Sequence, residues 1–226
     1  MRIYRLLLWD MRFQMKYGFY FLYTILTIIY AAVIFAVPEN WREKTSAVLI
    51  FSDPASMGLF FMGAIILLEK SQHTPYAVAV SPVRIMEYII AKVGSLSAIS
   101  VVVAAILALA AGINNLPIIL FGTVLSSVVF TLLGIIVATK IVSLNQFILW
   151  TVPIEVVCFV PAILHLFKIT PAWLRYYPVN ACMEMLSGYV PSVIGFCNIV
   201  VLIAILFALS KYCVSKMWNS MGGVKL

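Results

Sequence analysis

Charged residues are scarce in this sequence, and their scarcity excludes a water-soluble fold. Only 10% of the 226 residues are Asp, Glu, Lys or Arg, whereas 64% are hydrophobic, and the mean hydropathy is +1.10. Soluble domains carry about a quarter charged residues, and a chain of this length cannot bury so much apolar surface in water. The sequence therefore predicts an integral membrane protein. Its formal net charge of +7 is explained by basic cytoplasmic loops rather than by nucleic acid as a partner.

The residues of common catalytic and metal sites are also rare. The chain has two histidines and four cysteines, with no HExxH and no CxxC pair, so we expect no metal site and no catalytic residue. No G-x-x-x-x-G-K-[ST] loop for ATP phosphates is present. The cysteines are expected to be buried thiols, and no short apolar core ends in a signal-peptide cleavage site.

Long apolar runs are what the sequence does contain. A membrane-spanning helix needs about 20 apolar residues, and six runs are long enough. They are Phe19–Val37, Ala47–Leu68, Val93–Gly112, Pro117–Ala138, Phe147–Phe167 and Ser192–Val214. The sequence predicts an all-α polytopic protein, with six transmembrane helices in a single membrane domain over residues 1–226.

The distribution of Lys and Arg predicts the orientation of these spans. With six spans, one side holds eleven of the 15 basic residues and the other side holds four. The richer side contains Arg2, Arg5, Arg12, Lys16, Lys70, Arg84, Lys92, Lys140, Lys211, Lys216 and Lys225; the poorer side contains Arg42, Lys44, Lys168 and Arg175. The positive-inside rule places the richer side, with both termini, in the cytoplasm.

Two segments outside the spans have their own patterns. In residues 1–18 the basic side chains share one helical face and apolar side chains occupy the others, which favours a helix lying in the membrane interface. The alternative is a continuation of the first span, although Arg12 and Lys16 would be costly deeper in the bilayer. Residues 168–191 are too polar to span and contain aromatic residues suited to the interface on the external side.

A third segment, residues 69–82, is a polar loop between two apolar runs and reads EKSQHTPYAVAVSP. Thr74-Pro75 and Ser81-Pro82 each combine a helix-capping residue with a proline, as Asp53-Pro54 does further upstream, and such pairs mark helix starts. The loop therefore predicts a short helix over Pro75–Val80, after which Pro82 opens the next helix. Exposed apolar side chains on such a helix are expected to be buried against another surface, which is a protein partner or, alternatively, the bilayer surface.

This loop resembles the cytoplasmic loop between the second and third spans of type-2 ABC exporter permeases. Their pattern is E-K/R-x-x-G-T, an apolar stretch, T/S-P and later Y-x-x-x-K. The matching residues are Glu69, Lys70, Thr74, Ser81, Pro82, Tyr88 and Lys92. His73 stands where the family has glycine, so we expect a less sharp turn before Thr74. LLLWDMRFQMKYGFY, FSDPASMGLFF and TLLGIIVATK are similar to the fluoroquinolone-export ABC permeases.

The resemblance implies a transport subunit rather than an enzyme. A type-2 permease forms the path out of a bacterial cell, across the plasma membrane, while a separate ATP-binding subunit binds ATP and magnesium. The loop would then contain the coupling helix that docks on that subunit. The coupling residues implied are Glu69, Lys70, Thr74, Pro75, Tyr76, Val80, Ser81 and Pro82. A second permease copy, or a related permease, would complete the path for a hydrophobic or drug-like compound, and residues 168–191 would form short external helices.

Four residues are candidates for the substrate path. Asp53 and Glu155 are acidic groups within apolar runs, where charges are expensive and usually face a cavity or a partner. Asp53 has the alternative of capping the helix that begins at Pro54, and Glu155 that of pairing with a neighbouring helix. Phe60 and Phe61 would line an apolar cavity or, alternatively, contact lipid and other helices.

The sequence disfavours two other classes of protein. A stand-alone secondary transporter or channel is expected to show internal repeats and intramembrane charge pairs, and no convincing repeat is present. An intramembrane enzyme is disfavoured because His73 and His165 lie far apart in the sequence.

Overall fold

The computed structural model describes residues 2–52, 57–79, 81–113 and 115–222. In these residues the chain forms ten α-helices, one 3-10 turn over Ala172–Leu174 and no strand. The helices are α1 (Arg2–Lys16), α2 (Phe19–Ala36), α3 (Glu39–Ile50), α4 (Met57–Ser71), α5 (Thr74–Ala79), α6 (Ile85–Ala111), α7 (Leu116–Lys140), α8 (Leu144–Leu166), α9 (Pro178–Leu186) and α10 (Val193–Gly222). The predicted all-α class is confirmed.

Five of the described helices are long and apolar enough to cross a membrane: α2, α6, α7, α8 and α10. They make this a multi-pass membrane protein, as the composition predicts. The expected second span, Ala47–Leu68, instead comprises the end of α3 and most of α4, which lie on either side of residues 53–56. Asp53 and Pro54 lie outside the described residues, and the count of six spans stays a prediction.

Helix α7 lies at the centre and packs against α4, α6, α9 and α10. Glycines allow two of these helices to approach closely. A Cβ at Gly134 of α7 would stand 2.7 Å from the carbonyl oxygen of Leu59, and a Cβ at Gly58 of α4 would stand 2.8 Å from Oγ1 of Thr131. Because a Cβ cannot stand so close to a backbone oxygen, Gly134 requires glycine for α4 and α7 to pack as they do, whereas a Cβ at Gly58 would require the Thr131 hydroxyl to move.

Helix α1 packs along α6 and buries one face. That face contains the polar side chains of Asp10 and Gln14, which are 1% and 0% exposed, and the ring of Phe13. The basic residues Arg5, Arg12 and Lys16 are exposed. The basic face is thus exposed, the buried face is partly polar, and the position of α1 in the membrane interface stays a prediction.

Residues 168–191 contain the 3-10 turn and α9. Helix α9 is buried against α7, α8 and α10, and seven of its nine residues are buried, from Val179 to Met183 and at Met185 and Leu186. Helix α8 continues through Pro153 and Pro161 as one helix. Of the four cysteines, Cys158, Cys182 and Cys213 are buried, as expected, whereas Cys197 is exposed on α10.

Candidate functional site

The turn between α4 and α5 is as sharp as a glycine turn. His73 has φ of 58°, in the left-handed region that few residues other than glycine adopt. Its N–H donates to the Lys70 carbonyl at 3.1 Å, and its own carbonyl accepts from the Tyr76 N–H at 3.2 Å. The expectation that histidine would open this turn was wrong, because His73 takes the backbone conformation that glycine would take. Helix α5 consequently begins at Thr74, one residue before the predicted start.

The return from α5 to α6 is longer than the Ser81-Pro82 pair suggests. The Ser81 hydroxyl donates to the Val78 carbonyl at 2.7 Å and accepts from the Val83 N–H at 3.4 Å, so it holds a turn rather than capping a helix. Helix α6 begins at Ile85, where the Glu87 carboxylate accepts from the Arg84 N–H at 2.9 Å. The prediction that Pro82 opens α6 was wrong, because the helix begins three residues after Pro82. Its N-terminal hydrogen bond joins Glu87 to the N–H of Arg84, the residue before the helix.

Helix α5 buries one face and leaves the other open. It packs on α4 and α10, with Pro75 buried and Thr74 half-buried. Tyr76 is 43% exposed, and Ala77 beside it is also exposed. Val80 lies outside the described residues. The 69–82 loop therefore presents Tyr76 and Ala77 outwards from a fixed base.

Lys70 fixes this base to α7. Its ammonium donates to the carbonyls of Ala138, Thr139 and Ile141 at 2.7, 3.1 and 2.9 Å. The last carbonyls of a helix lack partners within the helix, and an ammonium there also opposes the negative end of the helix dipole. Partial burial lowers the pKa of Lys70 from its usual 10.5. The lysine thus acts as a cap for a helix that is distant in sequence.

Glu69, the residue before Lys70, faces a buried ion cluster. The ammonium of Lys92 on α6 pairs with the carboxylate of Glu69 on α4 and with that of Asp10 on α1. The three side chains are 1–2% exposed. We name these three residues the Lys92 cluster. Removing two carboxylates and an ammonium from water costs several kcal/mol per ion, so the cluster requires hydrogen bonds to its remaining atoms.

The surrounding residues supply those hydrogen bonds. The Tyr88 hydroxyl donates to Glu69 at 2.8 Å, while Ser95 and the Gln14 amide donate to the other oxygen of Asp10. Every carboxylate oxygen in the cluster therefore has a donor. The rings of Trp9, Phe13 and Tyr88 also lie 5.5–6.0 Å from the Lys92 ammonium, a distance at which aromatic faces attract cations.

A cavity of about 330 Å³ lies beside the Lys92 cluster, between α1, α5 and the start of α6. Leu6 and Trp9 form its α1 wall, and Ala77 and Val78 form its α5 wall. Helix α1 packs mainly on α2 and α6, and α5 packs mainly on α4 and α10, so the two helices face each other across this cavity.

Three of the predicted path residues are described by the structure, whereas Asp53 lies outside the described residues, and their role in a path stays a prediction. Phe61 is buried with its ring centroid 5.0 Å from that of Phe19 and 4.8 Å from that of Tyr23, so it packs α4 against α2. Phe60 faces the ring of Phe147 at 6.3 Å, and Glu155 is part-buried on α8. None of the three lines the cavity beside the Lys92 cluster or the cavity between α2 and α6.

The larger of the two cavities, about 430 Å³, lies between α2 and α6. Its walls are mainly apolar and include Ile28, Val102 and Ile106, which are exposed on the outside of the bundle. The hydroxyls of Thr24 and Thr27, also in the wall, donate to carbonyls of their own helix.

The opposite end of the bundle has paired polar groups. His165 at the end of α8 lies 2.7 Å from Glu184 of α9 and 3.3 Å from the Thr170 hydroxyl. A hydrogen bond to Glu43 of α3 raises the pKa of Tyr189. Among the described residues, no group of three or more His, Cys, Asp or Glu side chains is arranged to hold a metal ion.

The residue that sequence reasoning missed is Asp10. The sequence pattern of the N-terminal segment is interpreted from its basic face alone. In the structure the side chain of this segment that pairs with Lys92 is acidic, and Lys92 also pairs with Glu69. The sequence contains a pattern that could have identified Asp10. It is the one acid among the first 38 residues, and it lies four residues before Gln14 on the same helical face.

Comparison with known proteins agrees with the pattern in the 69–82 loop. The family model of the fluoroquinolones export permease proteins matches residues 1–221. Two curated relatives, fluoroquinolones export permease proteins from the CDC 1551 and H37Rv strains of Mycobacterium tuberculosis, are each 29% identical over 141 residues. That match covers 61% of this chain and 59% of each relative's length. The family match extends over nearly the whole chain, and the protein belongs to the fluoroquinolones export permease protein family.

Proposed function

We propose that this chain is the membrane-spanning subunit of an ATP-driven ABC exporter, in which a separate subunit binds ATP and magnesium. The observation that carries the proposal is the geometry of the 69–82 loop. Its base is held by Lys70 at the end of α7 and by Glu69 in the Lys92 cluster, while Tyr76 and Ala77 point outwards. A short helix held rigidly on one side and exposed on the other is suited to receive a mechanical input.

In this proposal α5 is the coupling helix. Closure of two ATP-binding subunits would displace α5, and its connections to α4 and α6 would carry the displacement into the bundle. Thr74, Pro75, Ser81 and Pro82 set the ends of the helix, and Tyr76 and Val80 are proposed as contact residues. The 69–82 loop and both termini are then cytoplasmic, and the protein lies in the bacterial plasma membrane.

The substrate is proposed to be a hydrophobic or drug-like compound. The names of the two relatives specify fluoroquinolones, which makes a fluoroquinolone the first compound to test. A second permease copy, or a related permease, is proposed to complete the path. The exposed apolar side chains of α2 and α8, among them Phe21, Ile28, Trp150 and Val157, suit contact with such a copy or with lipid.

The test is a purification from the native cell in mild detergent, with co-purifying chains identified by mass spectrometry. We expect an ATP-binding subunit at near-equal stoichiometry with the unaltered chain. Tyr76→Asp combined with Ala77→Asp should remove it, because two charges would enter a desolvated contact. Ile169→Asp, at a side chain 67% exposed at the other end of the bundle, is the matched control and should retain it.

A second measurement follows export of the compound in cells. Cells carrying the double variant should accumulate a fluorescent fluoroquinolone as cells without the protein do, while the Ile169→Asp cells should export it. If the unaltered chain purifies without an ATP-binding subunit and still exports the compound, the proposal is wrong, and the protein is a stand-alone secondary transporter or channel.

A further inference from the structure

We propose that Lys92 is the joint through which movement of the 69–82 loop reaches the N-terminal helix α1, with Asp10 as the positioning residue on α1. This inference rests on the function proposed above. It assigns a role to Asp10, which lies outside the loop pattern although it shares the Lys92 ammonium with Glu69.

An open space lies between α1 and α5. The cavity of about 330 Å³ stands between Leu6 and Trp9 on one side and Ala77 and Val78 on the other. Apolar contact passes on a displacement only where side chains touch, so movement of α5 towards α1 would first close this space. A displacement of the loop that leaves this space open can reach α1 only by a path around the cavity.

The Lys92 cluster provides that path. Glu69 lies two residues before the end of α4, at the base of the loop, and the same ammonium that pairs with it also pairs with Asp10. The pairs are buried, so water does not screen them. A displacement of the α4 end therefore moves the charge that holds Asp10.

The hydrogen bonds to Asp10 fix the orientation of its carboxylate relative to α6. Ser95, one turn along α6 from Lys92, donates to the second oxygen of Asp10, and Gln14 donates to both Asp10 and Ser95. With both oxygens held, the carboxylate cannot rotate freely to absorb a shift of Lys92. Movement of the ammonium is then transferred to the backbone of α1.

A second link between the loop and the α1 region lies at the surface. The Gln72 amide donates to the hydroxyl of Tyr17, just beyond α1, and the bond is exposed. An exposed neutral hydrogen bond contributes little because water competes for both groups. We therefore assign the transmission of loop movement to the buried path through Lys92. Removal of the Gln72 bond should leave the response of α1 unchanged.

The charges in the cluster permit a variant that breaks one link and keeps the fold. Two carboxylates share one ammonium, so Asp10→Asn leaves a balanced Lys92–Glu69 pair, and Glu69→Gln leaves a balanced Lys92–Asp10 pair. Both replacements preserve side-chain size. Lys92→Met would instead leave two buried carboxylates without a cation, a strongly destabilising change, and is unsuitable as the test.

The experiment is hydrogen–deuterium exchange of the purified complex, with and without ATP and vanadate, read in two peptides. Peptide 69–82 reports the loop, and peptide 2–16 reports α1. In the unaltered complex we expect vanadate trapping to change exchange in both. In Asp10→Asn we expect the loop response to remain and the α1 response to fall by at least half. Glu87→Gln, which removes a carboxylate elsewhere on α6, and Gln72→Ala should both retain the α1 response.

The outcomes separate this inference from the function on which it rests. If neither peptide of the unaltered complex responds, the ATP-driven function fails and the joint fails with it. If the loop responds and α1 does not, or if α1 responds equally in Asp10→Asn, only the joint is wrong. Should Asp10→Asn not assemble, Glu69→Gln cuts the same path from the other side. If neither variant assembles while Glu87→Gln does, the cluster is structural and the inference is abandoned.

Discussion

At the scale of single residues, the 69–82 loop depends on two side chains whose roles their sequence positions do not reveal. His73 takes a left-handed backbone conformation, with φ of 58°, that the sequence pattern of related loops assigns to glycine. Lys70 reaches across to three carbonyls at the end of α7. Propensity alone would not give His73 a left-handed conformation, which is rare outside glycine, and it would leave Lys70 exposed, because the partners of Lys70 lie about 70 positions away.

The cost of the His73 backbone can be measured with two variants. His73→Gly and His73→Ala both lose the ring contact with Tyr76, so the difference between them reports the backbone. Alanine carries the steric penalty of the left-handed region and glycine does not. We expect His73→Gly to be more stable than His73→Ala by about 1 kcal/mol, measured as the denaturation midpoint in detergent. Equal midpoints would show that the turn relaxes.

Lys70→Met tests the cap on α7. Three carbonyls would lose a charged donor, which we expect to lower the free energy of unfolding by about 2 to 3 kcal/mol. The control is Lys140→Met, since Lys140 is an exposed lysine of the last turn of α7 and acts only through the helix dipole, worth less than about 1 kcal/mol. A comparable loss in both variants would mean that Lys70 acts by charge alone.

At the scale of helices, hydrophobic patterning predicts much of the fold, and contact between helices decides the rest. The helices α2, α6, α7, α8 and α10 follow from the length of their apolar runs. The boundary between α3 and α4 does not follow from the length of the apolar run, which is 22 residues. The signal for it in the sequence is the Asp53-Pro54 pair within the run, which predicts a helix start. The pairing of Asp10 with Lys92, 82 positions apart, depends on how α1 lies on α6, and no local pattern records that.

The close approach of α4 and α7 predicts a sharp difference between two glycines. At Gly134 an added Cβ would meet the Leu59 carbonyl at 2.7 Å, and backbone cannot move aside as a side chain can. We expect Gly134→Ala to cost about 1 to 3 kcal/mol through overpacking. At Gly94 the neighbour is the tip of the Leu7 side chain at 3.0 Å, so Gly94→Ala should change stability by less than half as much. The check is the unfolding midpoint of each variant, and the reverse order would contradict the packing argument.

At the scale of the whole molecule, the open question is how many times the chain crosses the bilayer. If α3 and α4 together form one crossing, Trp41 in the first turn of α3 and Tyr76 in α5 lie on opposite sides. If they form none, both residues lie on the same side. The two arrangements place the same helices in the same bundle and differ only in where the membrane runs.

Cysteine labelling distinguishes these arrangements. Trp41 and Tyr76 are 52% and 43% exposed, so cysteines placed there are accessible, and Cys197 is first replaced by alanine to remove the exposed native thiol. We expect a membrane-impermeant maleimide to label Trp41→Cys in intact cells and Tyr76→Cys only after permeabilisation. Labelling of both positions under the same condition would rule out the six-span topology and the orientation derived from Lys and Arg.

The shared ammonium of Lys92 also constrains the order in which this region can change during evolution. A lineage can lose either carboxylate first, because the remaining acid and Lys92 still neutralise each other. Loss of the lysine first leaves two buried anions and a protein that folds poorly. Divergent members of the family should therefore include chains that keep the lysine without the α1 acid, whereas chains that keep both acids and lack a cation at the position of Lys92 should be rare.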